Sequence, residues 1–256
     1  MKQDKLILST AKISYVVQII AGIIGIYGIF IQLPVQHLIL REILVMETIV
    51  QFIELIYYTW LINQFKNIHY NVTTTRYFDW AISTPIMILS TILFMIYKNK
   101  IETFDQKDVS REKNDTQNKV AKTESDTEPE TEKSNQLSFV PIVQENSDPI
   151  LKTILSNQLM LLFGYLGEKG VISRPQGFIW GSFFFLITFA IIYVKFVGTA
   201  SINHWLFWFM LIAWSLYGVA YCLQYKTKNI MYNFLDIFSK NFYGFFLVQQ
   251  ILQVQK

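Results

Sequence analysis

The sequence predicts an all-α membrane protein built as a seven-transmembrane-helix bundle. Three observations lead there. Seven apolar runs each approach the ~20 residues that a helix needs to cross a bilayer. Only 16% of residues are charged, against about 25% in soluble domains. Polar residues inside the runs recur at helical spacing, so each run presents one polar stripe.

The runs follow in chain order. Residues 1–12 are polar and basic, with Lys2, Lys5 and Lys12. The first run, Ile13 to Pro34, has no charge. It is too long for a signal-peptide core and lacks a small-residue cleavage site, so a spanning helix is expected. Its Gly22, Gly25 and Gly28 are three apart. No strand precedes them, which excludes a phosphate loop. Small residues on one face instead let a neighbouring helix approach. The second run, 37–62, holds Glu42, Glu47, Gln51 and Glu54. The third, Tyr77 to Tyr97, holds Asp79 near its start. Residues 98–149 are rich in Lys, Glu, Asp, Asn, Thr and Ser and poor in apolar residues. Such a segment is expected to form a disordered polar loop. Four runs follow at 150–167, 176–197, 202–224 and 229–253, with short separators. Helices one to three thus occupy 1–97 and helices four to seven 150–256, together one domain.

Composition also excludes function classes. A net charge of +3 is too small to suggest nucleic acid. The single cysteine, Cys222, rules out an internal disulfide or a cysteine metal cluster. His37, His69 and His204 lack ligand spacing, so no metal site is expected. The sequence is not read as an enzyme.

The polar residues cluster in particular spans. Span one carries Ser14 and Gln18, one turn apart. Glu47, Gln51 and Glu54 form one stripe of span two, and Asp79, Ser83 and Ser90 one stripe of span three. Span seven has Asn229, Asn233, Asp236 and Lys240. The last two are four apart, which on an α-helix puts them on one face. A mid-bilayer charge costs roughly 2.5–3.5 kcal/mol on insertion scales and marks function by default. Glu42, near a span end, is equally explained by snorkelling. Serines and threonines often bond back to their own helix. Two carboxylates and a lysine inside the membrane are seldom mere packing, because an unpaired buried ion is costly. Spans one, two, three and seven are therefore expected to share a polar seam. Spans five and six, with Phe183, Phe184, Phe185, Trp205, Trp208, Trp214, Tyr217 and Tyr221, are expected to wall a flat pocket.

These residues resemble a family. R-Y-F-D-W-A-I-S-T-P, Arg76 to Pro85, is similar to the third helix of microbial rhodopsins. L-F-G-Y-L-G-E, Leu162 to Glu168, resembles the fourth helix of proteorhodopsins. W-S-L-Y-G, Trp214 to Gly218, resembles the sixth-helix retinal wall, where a proline is common at the place of Gly218. N-F-L-D-I-F-S-K-N, Asn233 to Asn241, resembles the seventh helix with its retinal-binding lysine. The resemblance implies all-trans retinal in the bundle core, held by Lys240 as a protonated Schiff base. Asp79 and Asp236 would supply counter-charge, balanced by Arg76. Trp80, Ser83, Thr84, Met87, Trp214, Tyr217 and Tyr221 would form the pocket. Met87 stands where the family tunes colour, and an apolar residue there implies green absorption.

The resemblance further implies an integral, multi-pass protein with its N-terminus outside and its C-terminus cytoplasmic. Residues 98–149 then become a cytoplasmic loop, longer than the family norm. The Asn71-Val-Thr sequon would lie outside. The lysines of 1–12 taken alone favour the opposite orientation, and the positive-inside rule does not decide between the two.

For transport, three readings stay open. Ser90 stands where a pump would carry a carboxylate proton donor, which weakens an outward proton pump. Ile13 to Gly22, His37 to Leu40 and Glu47 to Glu54 resemble the viral rhodopsins of giant algal viruses, whose first group are light-gated cation channels. That likeness implies Ser14, Glu47, Glu54 and Asn233 as pore constrictions, with Gln18 and Ser90 on the same path. A light-gated cation channel is favoured, then a pump, then a photosensor with a separate partner. The expected partners are the lipid bilayer, in a host-cell membrane if the chain is viral, and small cations or protons. A homo-oligomer is compatible with these readings.

Overall fold

A computed structural model describes residues 2–65, 72–118 and 137–255, with side chains over 5–65, 72–104 and 137–255. His69, the Asn71 sequon and residues 119–136 of the expected loop lie outside the described residues.

Helix α1 runs Lys2–Ile29. It starts eleven residues before the expected Ile13. The reason lies in the face rather than in the hydropathy. Ile7, Ala11 and Ser14, at i, i+4 and i+7, are all buried, so the packing stripe continues through the basic segment. A short 3₁₀ turn at Val35–His37 leads into α2, Leu38–Gln64. Gly25 and Gly28 face α2. A Cβ on Gly25 would lie 2.7 Å from Thr48 Oγ1, and one on Gly28 would lie 2.7 Å from Leu44 Cδ2. Gly22 faces open space. At 100° per residue the three drift off one line, so only two serve the close approach.

Helix α3 spans Val72–Asn118 and carries Pro85 internally. The expected disordered loop, 98–149, is therefore corrected over 98–118, which continue the third helix, and over 139–145 and 147–149, which are helical too. No glycine or proline interrupts residues 86–118, and Lys98 and Glu102 are spaced i, i+4. Low hydrophobicity alone does not stop a helix that is already nucleated. A short α4, Phe139–Glu145, precedes α5, Ser147–Lys169. Gly170 ends α5 in the left-handed conformation at φ 74°.

Helix α6, Arg174–Ile192, opens on a Ser173/Gln176 capping box with a proline in the first turn. It ends in a π turn, Tyr193–Val197. Helix α7 is Ser201–Tyr221. The buried Asn203 amide donates to Met95 O at 2.9 Å and Val197 O at 3.0 Å. It thus ties α7 to α3 and to the π turn. The seventh span is two helices, α8 Tyr225–Asp236 and α9 Phe242–Val254, joined by a second π turn, Ile237–Asn241.

The bundle has seven spans: α1, α2, α3, α5, α6, α7 and the α8–α9 pair. Among the described residues, five are long and apolar enough to cross a membrane by length and composition alone. The other two are α2, with Arg41, Glu42, Glu47 and Glu54, and the divided seventh. The main apolar core joins α2, α3, α6, α7 and α9 around Phe94, Phe189, Trp214 and Phe246. Phe183, Trp205 and Trp208, expected in the pocket, are exposed on the outside of the bundle. A span that faces lipid on one side is apolar on both sides, so composition does not reveal which aromatics turn inward.

Candidate functional site

The π turn carries Lys240 into the centre of the bundle, where it is 2% exposed. Its Nζ donates to Asp79 Oδ2 at 3.1 Å and Ser83 Oγ at 3.3 Å, both on α3. It also forms a close ion pair with the Glu54 carboxylate on α2. The other Glu54 oxygen accepts from the Gln18 amide on α1. Glu54 thus bridges α1 and Lys240. Asp79 Oδ1 has no partner among the described residues.

Asp236 sits in a second cluster. Its Oδ2 accepts from Tyr58 OH at 2.7 Å and from Arg76 Nη1 at 3.1 Å, and its Oδ1 accepts from Tyr217 OH at 2.8 Å. Arg76 is wholly buried. It also donates to Asn233 Oδ1, and its guanidinium lies 5.7–5.9 Å from the ring centres of Tyr57, Tyr58 and Tyr232. Asp236 therefore makes no ion pair with Lys240, despite the i, i+4 spacing. Tyr58, Arg76 and Tyr217 take both oxygens of the Asp236 carboxylate, while Lys240 Nζ turns to Glu54 and Asp79; Asp236 still acts on Lys240 through its charge. Glu54 and Asp79 thus stand against the lysine and Asp236 against the arginine.

The Arg76–Asp236 pair is buried on both sides. Breaking such a pair by removing one partner typically costs about 3–5 kcal/mol, because the other charge is left uncompensated. Arg76→Ala is thus expected to lower the thermal midpoint of the purified protein markedly. A midpoint equal to wild type would show that the hydroxyls of Tyr58 and Tyr217 alone carry Asp236.

Lys240 opens onto a cavity of about 300 Å³ between α3, α5, α6, α7 and the seventh span. Trp80, Thr84, Met87, Trp214, Tyr217 and Tyr221 all line it. Ser83 lies just behind, at Lys240 Nζ. Trp80 meets Tyr217 and Tyr232 edge-on, with ring centres 5.4 and 5.0 Å apart. Tyr232 and Tyr58 were absent from the expected set. A signal for each existed. Tyr58 continues the Glu47, Gln51, Glu54 stripe by one more turn, and Tyr232 precedes Asp236 by one turn.

The expected path residues fall into two groups. Ser14 Oγ donates to Asn233 O at 2.8 Å, and the Asn233 amide donates to Thr10 Oγ1 at 2.7 Å. Ser14, Gln18, Glu54 and Asn233 thus knit α1 to α2 and α8. Ser90 and Glu47 do not join this network. Ser90 Oγ donates to its own helix at Met87 O, 2.9 Å. Glu47 is fully buried two turns from Glu54, with the side chains of Gln51 and Ser90 as its polar neighbours.

The model of the bacteriorhodopsin-like protein family matches residues 9–109 and 135–254. No curated protein sequence matches. The viral rhodopsin OLPVRII superposes with a TM-score of 0.74 at 24% identity, covering 97% of this chain and 99% of its own. A blue light-absorbing proteorhodopsin from Med12 gives 0.67 at 15% identity, covering 96% of each chain. The proton-pumping rhodopsin AR2 from the marine alga Acetabularia acetabulum gives 0.66 at 16% identity, covering 97% and 96%. At these identities the superpositions establish the fold, while the family match spans most of the chain. The chain therefore belongs to the bacteriorhodopsin-like family of microbial rhodopsins, seven-helix membrane proteins that in general carry retinal.

Proposed function

We propose that this protein is a photoreceptor that holds all-trans retinal on Lys240 and acts as a light-gated cation channel. The N-terminus is outside and the C-terminus cytoplasmic. The residues fit the chromophore. A single buried amine stands at the wall of an aromatic cavity, flanked by two carboxylates. A desolvated lysine suits covalent attachment to a carbonyl carbon. Retinal bound there supplies light absorption and isomerisation.

This chain's own residues supply the rest. Asp79 and Glu54 balance the positive charge at Lys240 Nζ, and Trp80, Trp214 and Tyr217 wall the site against water. Arg76 and Tyr58 hold Asp236 in a neighbouring cluster. The observation that carries the channel reading is the Glu54 bridge. One carboxylate touches Lys240 on one side and Gln18 of α1 on the other. With retinal bound, transfer of the Nζ proton to Asp79 Oδ2, 3.1 Å away, would leave the Glu54 carboxylate without its cation and the α1–α2 contact without its anchor. The seam of Ser14, Gln18, Glu54 and Asn233 then opens to water, and carboxylates along it favour cations. Glu47, further along α2, is the second acidic constriction.

An outward proton pump is the second reading, and Glu47 favours it. With Ser90 in place of a carboxyl donor, Glu47, a buried carboxyl beside Ser90 and Gln51, is the substitute this chain offers. Voltage clamp of illuminated cells separates the two. The channel reading expects a photocurrent that reverses sign with membrane voltage. A current that stays outward at all voltages would replace it with the pump.

A further inference from the structure

The Lys240 cavity is walled by buried or half-buried residues on every element except one pair. Of its lining residues only Phe178 on α6 and Ser215 and Val219 on α7 are exposed. Val219 is 53% exposed and Phe178 39%. Ser215, Gly218 and Val219 form one stripe of α7, at i, i+3 and i+4. Phe178, Gly181 and Ser182 form the matching stripe of α6. Four of these six residues are glycine or serine, so the two helices face each other there with little side chain between them. The Phe178 ring spans the gap. Its Cε2 lies 3.8 Å from where a Cβ on Gly218 would stand, and its ring stacks on Tyr221 at 6.2 Å. The end of the cavity at Tyr221 is closed differently. There Lys228 pairs with Glu168, and Arg174 donates to Tyr221 O.

We propose that the gap between α6 and α7 at Gly218 is a lateral portal, through which retinal passes from the bilayer into the Lys240 cavity, with the Phe178 ring as its movable leaf. The inference rests on the reading of Lys240 as the retinal lysine. Retinal is an apolar polyene that partitions into lipid. A route past the ion pairs at Glu168 would drag it through charged groups that are costly to separate. The Gly218 gap offers a route lined by apolar and small residues that opens where lipid stands. It also gives Gly218 a role. Proline, with its ring, would narrow the gap at the place where this chain has no side chain.

The test is the rate at which the visible band forms when retinal-free protein in phosphatidylcholine vesicles receives all-trans retinal. Val219→Trp, at the mouth, should slow this rate by about tenfold, equivalent to about 1.4 kcal/mol on the entry barrier. The rate is read as the approach to each variant's own final band, so a shift in band position does not enter it. Phe178→Ala, which removes the leaf, should speed uptake severalfold. Leu186→Trp, on α6 away from the cavity, should leave the rate unchanged. If both Val219→Trp and Phe178→Ala formed the band at the wild-type rate, the portal would be wrong while the Lys240 reading stood. Slowing by Leu186→Trp equal to that by Val219→Trp would also overturn it, as a general effect on α6. Wild-type protein that formed no band would instead remove the retinal reading, and the portal with it.

Discussion

Lys240→Ala is expected to abolish the visible absorption band completely. Among the described residues, Lys240 is the one lysine that lines the aromatic cavity. Lys228, on the same span, is engaged with Glu168 at the end near Tyr221. The measurement is the absorption spectrum after addition of retinal, with the mass of the protein after borohydride reduction as a check on covalent attachment. Circular dichroism controls for folding, because removing the cation leaves Glu54 and Asp79 buried without a counter-charge. A helical variant with no visible band is the expected result. If that variant still took up retinal covalently and kept its band, the reading of the whole bundle as a retinal protein centred on Lys240 would fall.

Glu54→Gln is expected to reduce the light-gated current by about tenfold or more, the scale on which losing about 1.4 kcal/mol acts on an equilibrium. The substitution keeps the size of the side chain and its capacity to bond Gln18. It removes the charge that faces Lys240 and the carboxylate that attracts cations along the seam. The current should also lose selectivity for cations, read as a shift in reversal potential when the external salt is exchanged. Because Glu54 touches Lys240, the visible band of the variant should shift as well. A reversing current of unaltered size and selectivity would falsify the assignment of Glu54 to the pathway, even with a shifted band. An unshifted band would show that Glu54 is not a counter-charge to the lysine.

Much of the fold was legible from run length and helical spacing. The seven spans emerge because a bilayer demands about 20 apolar residues per helix. Lys240 and Asp79 stand out because charge is rare and costly in such runs. Where the fold departed from expectation, hydropathy was the wrong signal. Residues 2–12 and 98–118 are polar yet helical, because a helix continues past the membrane edge until a glycine, a proline or a lost packing face stops it.

The site divides along the same line. The sequence by itself determined the cast: a lysine, three carboxylates and an arginine, with tryptophans and tyrosines at helical intervals. Spacing within one helix says which side chains share a face. It does not say how that helix is rotated against its neighbours. Only the tertiary structure set Glu54 against Lys240 and Asp236 against Arg76, turned Trp205 and Trp208 outward, and left Gly22 unused. The physical reason is competition among neighbouring helices for the charged groups of the seventh span. A π turn at Ile237–Asn241 adds a residue to one helical turn. Every side chain after it is rotated relative to those before. Asp236 and Lys240 stay about one turn apart, but Tyr58, Arg76 and Tyr217 from other helices occupy the Asp236 carboxylate, and Glu54 from another helix meets the lysine.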